Sequence, residues 1–148
     1  MITAIDLARY VVARTNKIAH GVNRLQLEQI LYFIQAEFLV AFDKPCFADD
    51  IEACELGIKI RTVRREFTVY AAGRIWYLED RHPKWLELNV TPDEKYHIDA
   101  VIDELLPYSG ADLIRIVQNQ DPWKKTYKEG QRRIIPNPLI KSYFQDEV

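Results

Sequence analysis

A chain of 148 residues, 48% apolar and 11% aromatic, can bury a real core, which excludes global disorder and predicts one domain over residues 1–148. Its 20 Lys and Arg against 22 Asp and Glu leave a formal charge of −2, and with a sequence pI near 5.9 this argues against a general nucleic-acid coat, whose surface must neutralise phosphates. Met1 to Asp6 has no basic or long apolar stretch, Cys46 and Cys54 make no CxxC pair, and no apolar run reaches the roughly 20 residues of a bilayer crossing, so a reduced, cytoplasmic protein without membrane contact is expected.

The first helix is predicted to start at Thr3 or Asp6, with Ile5, Ala8 and Val12 at helical spacing, and to stop before Lys17 to Gly21. Asn23 caps a second helix running from Arg24 to about Phe42. Leu27, Ile30, Leu31, Ile34, Phe38 and Ala41 form one face, and Leu25, Phe33, Val40 and Phe42 carry apolar character around most of the cylinder. A helix apolar nearly all round is a buried one, so this is the expected centre of the fold. Glu28, Gln29 and Gln35 are expected to keep a narrow wet stripe along it.

Ile51 to Leu56 reads as a short extended piece or a loop ending at Gly57. Arg61 to Tyr70 places Val63, Phe67 and Tyr70 at helical spacing, and Ala71-Ala72-Gly73 closes that helix. Arg74 to Glu79 and Trp85 to Val90 have strand-like content around a turn at Asp80-Arg81-His82-Pro83, which predicts a small two-stranded antiparallel element. Thr91, Pro92 and Glu94 spell a capping box with proline at the first helical position, opening a helix to Leu106 with Ile98, Val101, Ile102 and Leu105 inward. Ser109 caps a short helix from Gly110 to about Gln118, with Leu113, Ile116 and Val117 inward. Asp121-Pro122-Trp123 starts a turn to Tyr127, Arg133-Ile134-Ile135 is extended, and Asn137-Pro138 opens a last helix to about Phe144. The fold class is therefore mainly α: a compact helical domain around a buried central helix at about 24–42, with a small two-stranded β element.

Chemistry-bearing motifs are sparse. There is no GxGxxG, GxxxxGK[ST] or GxSxG. His20, His82 and His97 are far apart and none stands at metal-ligand spacing, so packed or solvated histidines are expected. Asp99 and Asp103 share a helix face, and Asp49, Asp50 and Glu52 share a loop. A solvated acidic face is the expectation, with a metal-holding hydrolase loop as the alternative. No catalytic, cofactor or metal residue is assigned, and an enzyme is not expected. Two basic groups stand out: Arg61, Arg64 and Arg65, and the Lys124, Lys125, Lys128, Arg132 and Arg133 set behind Trp123. Cations interleaved with aromatics can hold single-stranded nucleic acid or dock an acidic protein. Neutralisation by neighbours such as Glu66 and Glu129 is the plainer reading, and nucleic acid is not favoured.

The run Leu25-Gln26-Leu27-Glu28-Gln29-Ile30-Leu31-Tyr32-Phe33-Ile34-Gln35 resembles the "LxLQKLLYYxQ" signature of the Panacea or SocA-like antitoxin domain, also met in GepA-like phage-associated proteins. Pro45-Cys46-Phe47 and Asp50-Ile51-Glu52-Ala53 resemble its "PLFxxxIEAW" segment, and Gly57, Val63 and Phe67 fall along its "GPVxPxVYxxF" segment. Ser109 to Leu113 with Asp121-Pro122-Trp123 resembles "SAxxLxxxxHxxxPW", and Ile135, Ile140 and Tyr143-Phe144 its closing pattern. Cys54 stands for the family's Trp, Ile58 and Lys59 for its Pro-Val, Arg61 for its next Pro, and Gln118 for its His. The chain is thus identified as a divergent member.

The resemblance implies a binding protein: an antitoxin that neutralises a toxin by direct binding or by adaptor-type delivery to a protease. The alternatives are a phage or mobile-element inhibitor of a host system and a nucleic-acid-binding regulator. The expected partner is another protein, toxin or host target, with oligomeric state left open. Arginine and aromatic residues dominate interface hot spots, so Arg61, Arg64, Arg65, Trp76, Tyr77 and Trp123 are the candidate contacts, Trp123 doubling as a core anchor. Leu27, Leu31, Tyr32, Gln35, Glu52 and Gly57 are the motif core. Within it Tyr32, Gln35 and Glu52 are read as a buried hydrogen-bond network, the alternative being a groove lining.

Overall fold

The computed structural model describes residues 1–71 and 73–146. Helix α1 (Ala4–Ile18) starts behind Thr3, whose hydroxyl accepts from the Asp6 N–H at 3.1 Å, and buries Leu7, Ala8, Val11, Val12 and Thr15. Helix α2 (Arg24–Ala41) opens on a reciprocal cap: Asn23 Oδ1 accepts from the Gln26 N–H and Gln26 Oε1 from the Asn23 N–H, which satisfies two first-turn donors at once. Leu27, Ile30, Leu31, Ile34, Phe38 and Leu39 are all buried along it. α1 packs on one side, and α4 (Pro92–Leu105), α5 (Gly110–Gln118) and α7 (Asn137–Asp146) cover the others. Each such side chain contributes about 1.5–3 kcal/mol when fully buried, so an apolar circumference needs this surround of helices.

Three short strands cross the end of this bundle. β1 (Glu52–Cys54) pairs antiparallel with β2 (Gly57–Lys59) in the register Glu52↔Lys59, Ala53↔Ile58, and with β3 (Arg133–Ile134) through Glu52↔Ile134. The sheet order is β2-β1-β3. β2 leads directly into α3 (Arg61–Glu66), followed by a 3-10 turn at Thr68–Tyr70. The short α6 (Asp121–Lys124) links α5 to β3.

The strands are not where the aromatic content of residues 74–90 predicted a hairpin. That segment is irregular and finds no strand to pair with. It is tied down singly: Asn23 bridges Arg74, the Ile75 N–H donates to Val22 O, Asn16 Nδ2 donates to Ile75 O, and Lys17 meets Glu79 at 3.1 Å. Turn hydrogen bonds from Arg81 and His82 to Leu78 O curl its middle, and Trp85 lies against the edge of Phe67. Pairing occurs instead at 52–59, where Gly57 holds φ +86°, a left-handed backbone that glycine adopts freely, directly after the Glu55-Leu56 turn.

Smaller differences have local causes. α1 runs on to Ile18. α3 ends at Glu66, its last turn tightening into the 3-10 form, and the Ala72 part of the expected closure lies outside the described residues. α5 is rotated so that Ile114 is buried and Ile116 is 37% exposed. α6 stops at Lys124, with Gln120 rather than Asp121 at its N-cap and no side-chain cap bond. The expected wet stripe of α2 is dry, because Glu28, Gln29 and Gln35 are all buried.

Candidate functional site

Glu28, Gln29, Tyr32 and Gln35 stand at positions i, i+1, i+4 and i+7 of α2 and so share a face. An unsatisfied buried polar group costs about 1–3 kcal/mol, so each of these must find a partner. Glu28 Oε2 accepts from the Ile60 N–H at 2.9 Å. Gln29 Oε1 accepts from the Ile58 N–H at 3.0 Å, and its Nε2 donates to Leu25 O. The Tyr32 hydroxyl donates to Gln120 Oε1 at 2.8 Å, and burial pushes that phenol well above its ordinary value. Gln35 Oε1 accepts from the Cys46 and Phe47 N–H groups, while its Nε2 donates to Phe47 O and Asn137 Oδ1. Glu28, Gln29 and Gln35 therefore satisfy backbone groups in the 46–47 loop, in β2 and at the β2–α3 junction, while Tyr32 reaches the Gln120 side chain. Gly57 belongs to the same arrangement: a Cβ there would stand 2.6 Å from Gln29 Oε1.

Two buried carboxylates reach outward from this seam. Glu28, 1% exposed, takes Arg64 Nε and Nη2 on Oε1 at 3.1 and 3.0 Å. Burial pushes the Glu28 carboxyl above the usual carboxylate range, opposed by Arg64 and the Ile60 N–H. Burial also works against the Arg64 charge, but Glu28 beside it more than offsets this and holds the guanidinium above its usual value. Glu52, buried in β1, takes Arg61 Nε at 2.7 Å and Arg132 Nε at 3.3 Å, one on each oxygen. Arg61 and Arg64 are thus neutralised, but by acids of the central seam. Glu66 instead pairs with Arg9 at 2.6 Å. Arg65 is exposed and makes no ion pair among the described residues.

The candidate contacts fall into two groups. Arg61 and Trp123 bond the β1–β2 hairpin and Arg64 the seam behind it, with Arg65 next to Arg64 on α3; Trp123 is half-buried, donates from Nε1 to Cys54 O at 2.9 Å and stacks on Tyr127. Trp76 and Tyr77 lie apart, near the end of α1. Trp76 is 57% exposed with the Arg74 guanidinium 4.1 Å over its ring, and half-buried Tyr77 stacks on Trp85. The motif positions Leu27, Leu31, Tyr32, Gln35, Glu52 and Gly57 are all buried. Gln120 and Arg132 complete the network; Gln120 went unread in the sequence and Arg132 was read only as one of a basic set, since nothing local marks a partner that lies 80 or more positions away.

The acids considered for metal chemistry are otherwise engaged. Asp49 accepts from the Ala4 N–H and the Thr62 hydroxyl, and Asp50 faces Arg132. Asp99 bonds Tyr10 and Lys95, and Asp103 pairs with Arg14. His97 Nδ1 meets Glu37 Oε2 at 2.6 Å, with its ring edge against Phe42. Among the described residues no group of three His, Cys, Asp or Glu could hold a metal ion, and no helix is long and apolar enough to cross a membrane. Burial pushes the Cys46 thiol up to about 12, which leaves it a poor nucleophile.

The family model described as "Antitoxin SocA-like, Panacea domain" matches residues 27–124. That span runs from the buried face of α2 to α6 and takes in the seam, the hairpin and the arginines of α3. No curated protein and no solved structure matches the chain.

Proposed function

This chain belongs to the SocA-like Panacea antitoxin domain family, and we propose that it is a non-enzymatic inhibitor that neutralises a toxin by binding it directly through the arginine face around the β1–β2 hairpin. The observation that carries this reading is the pair of buried carboxylates. Glu28 and Glu52 hold Arg64 and Arg61 in place from below, so the cationic face is ordered before any partner arrives. Ordering in advance lowers the entropy lost on association. Arg65 supplies the uncompensated charge, and Trp76, with Arg74 over its ring near the end of α1, offers a separate exposed aromatic of the type that dominates hot spots. Trp123 braces the hairpin through Cys54 O, and Tyr77 stacks on Trp85. The partner surface that fits is acidic.

Co-expression with the neighbouring open reading frame tests the reading. A neighbour that is toxic alone, tolerated together with this chain and co-purified with it supports direct neutralisation. Arg65→Glu should weaken the complex by about tenfold or more with the melting temperature unchanged, because the exposed side chain makes no hydrogen bond or ion pair among the described residues. Full neutralisation by a doubly substituted Arg65→Glu, Trp76→Ala chain would overturn the assigned face.

A further inference from the structure

On the other side of α2 from the arginine face, a groove of about 330 Å³ opens between α2, α4 and the end of α7. Phe33, Val40, Val101 and Phe144 form its apolar floor, and Glu37 and Glu104 stand at its rim. Among the described residues no lysine or arginine lines it. On α4 only Glu104 of the five acids faces the groove, since Asp99 and Asp103 turn to Arg14 and Glu94 is held by Lys44. Glu104 is exposed and makes no ion pair among the described residues, and Glu37 meets only the His97 ring. An apolar trough with carboxylates along its edge is complementary to an amphipathic segment whose apolar side chains are flanked by lysine or arginine. From Phe33 to Val40 the floor follows α2 for about two turns, roughly 10 Å at 1.5 Å per residue, which suits anchors at helical spacing.

We infer that this groove is a second protein-docking site, which takes a basic amphipathic helix of the partner while the arginine face meets an acidic region. The inference rests on the inhibitor reading for the identity of the partner and on the groove's own chemistry for the occupant. The two faces carry opposite charge, so a single partner must present both signs, and a homogeneously acidic protein would engage only one of them.

A fluorescein-labelled peptide with leucines at i, i+4 and i+7 and lysines beside them is the probe, compared by anisotropy with the isomer in which glutamates replace the lysines. Binding of the lysine peptide about tenfold tighter than the glutamate one is expected at low salt. Glu104→Lys should weaken the lysine peptide about fivefold and strengthen the glutamate one, while Glu87→Lys, outside the groove, should change neither. Equal binding of both peptides, or indifference to Glu104→Lys, overturns the proposal. So does a dimer in sedimentation that Val40→Lys dissolves, since that assigns the groove to a second copy of this chain. Toxin neutralisation measured beside it separates the two readings. A neutralised toxin without peptide preference sinks the groove alone, and peptide preference without any neutralised neighbour sinks the inhibitor reading alone.

Discussion

Gln35 closes four hydrogen bonds with one carboxamide, two of them from backbone N–H groups that nothing else satisfies. Gln35→Leu keeps the volume and removes every partner. Stranding the Cys46 and Phe47 donors should cost about 2–6 kcal/mol at roughly 1–3 for each, read as a lower urea midpoint with the slope unchanged. A loss under 1 kcal/mol would mean that water reaches the loop and the seam is not dry. A lone glutamine on an apolar helix reads equally as a wet edge or a dry fastener, because periodicity records which face a residue is on and not what waits opposite. The family signature marked Gln35 as a buried network member, while Glu28 and Gln29 stayed on the wet side until the β2 backbone was seen against them. Arg61 and Arg64 were visible as cations, but their tethers to Glu52 and Glu28 join residues 9 and 36 positions apart, which no local pattern encodes.

Capped helices were legible because their signals are local. Asn23, Thr91 and Ser109 each accept from the backbone N–H three residues on, as their sequence contexts predicted. At α4 the cap is reciprocal: Glu94 accepts from the Thr91 N–H and also from Lys44, and these bonds hold its carboxyl below the usual range, Lys44 first and the Thr91 backbone next. Thr91→Ala should therefore cost about 1 kcal/mol. A carboxyl with a lowered folded pKa contributes stability that is present above its ordinary value of 4.5 and is lost as pH falls through the lowered one. Thermal melts of the native chain and Glu94→Gln should accordingly differ at neutral pH and converge as pH falls below 4.5 through the lowered value; parallel curves would place the carboxyl outside the linkage. The strands were less legible. Residues 74–90 have the β-forming content, yet pairing needs a partner edge, and β1 finds one in β3 across about 80 residues of chain.

At the scale of the molecule, the burial pattern makes α2 common to every part of the fold. α1, α4, α5 and α7 each pack on it, and the hairpin hangs from its polar seam, so most of the surround loses its main apolar partner once α2 loosens. Cys46 gives a probe of this. It sits in the core beside Gln35, at the far end of the seam from Arg64, and its thiol is held up to about 12 by burial, so alkylation at neutral pH requires the core to open. If the chain unfolds as one unit, iodoacetamide labelling of Cys46 in a urea series should rise with the same midpoint as the loss of helical circular dichroism and the shift in tryptophan fluorescence from Trp85 and Trp123. A Cys46 that labels well before the helix signal falls would mean that the 43–51 loop opens as a local unit. The Gln35 fastener would then serve a hinge at the end of the seam opposite Glu28 and Arg64, in a scaffold that the inhibitor reading requires to be ordered in advance.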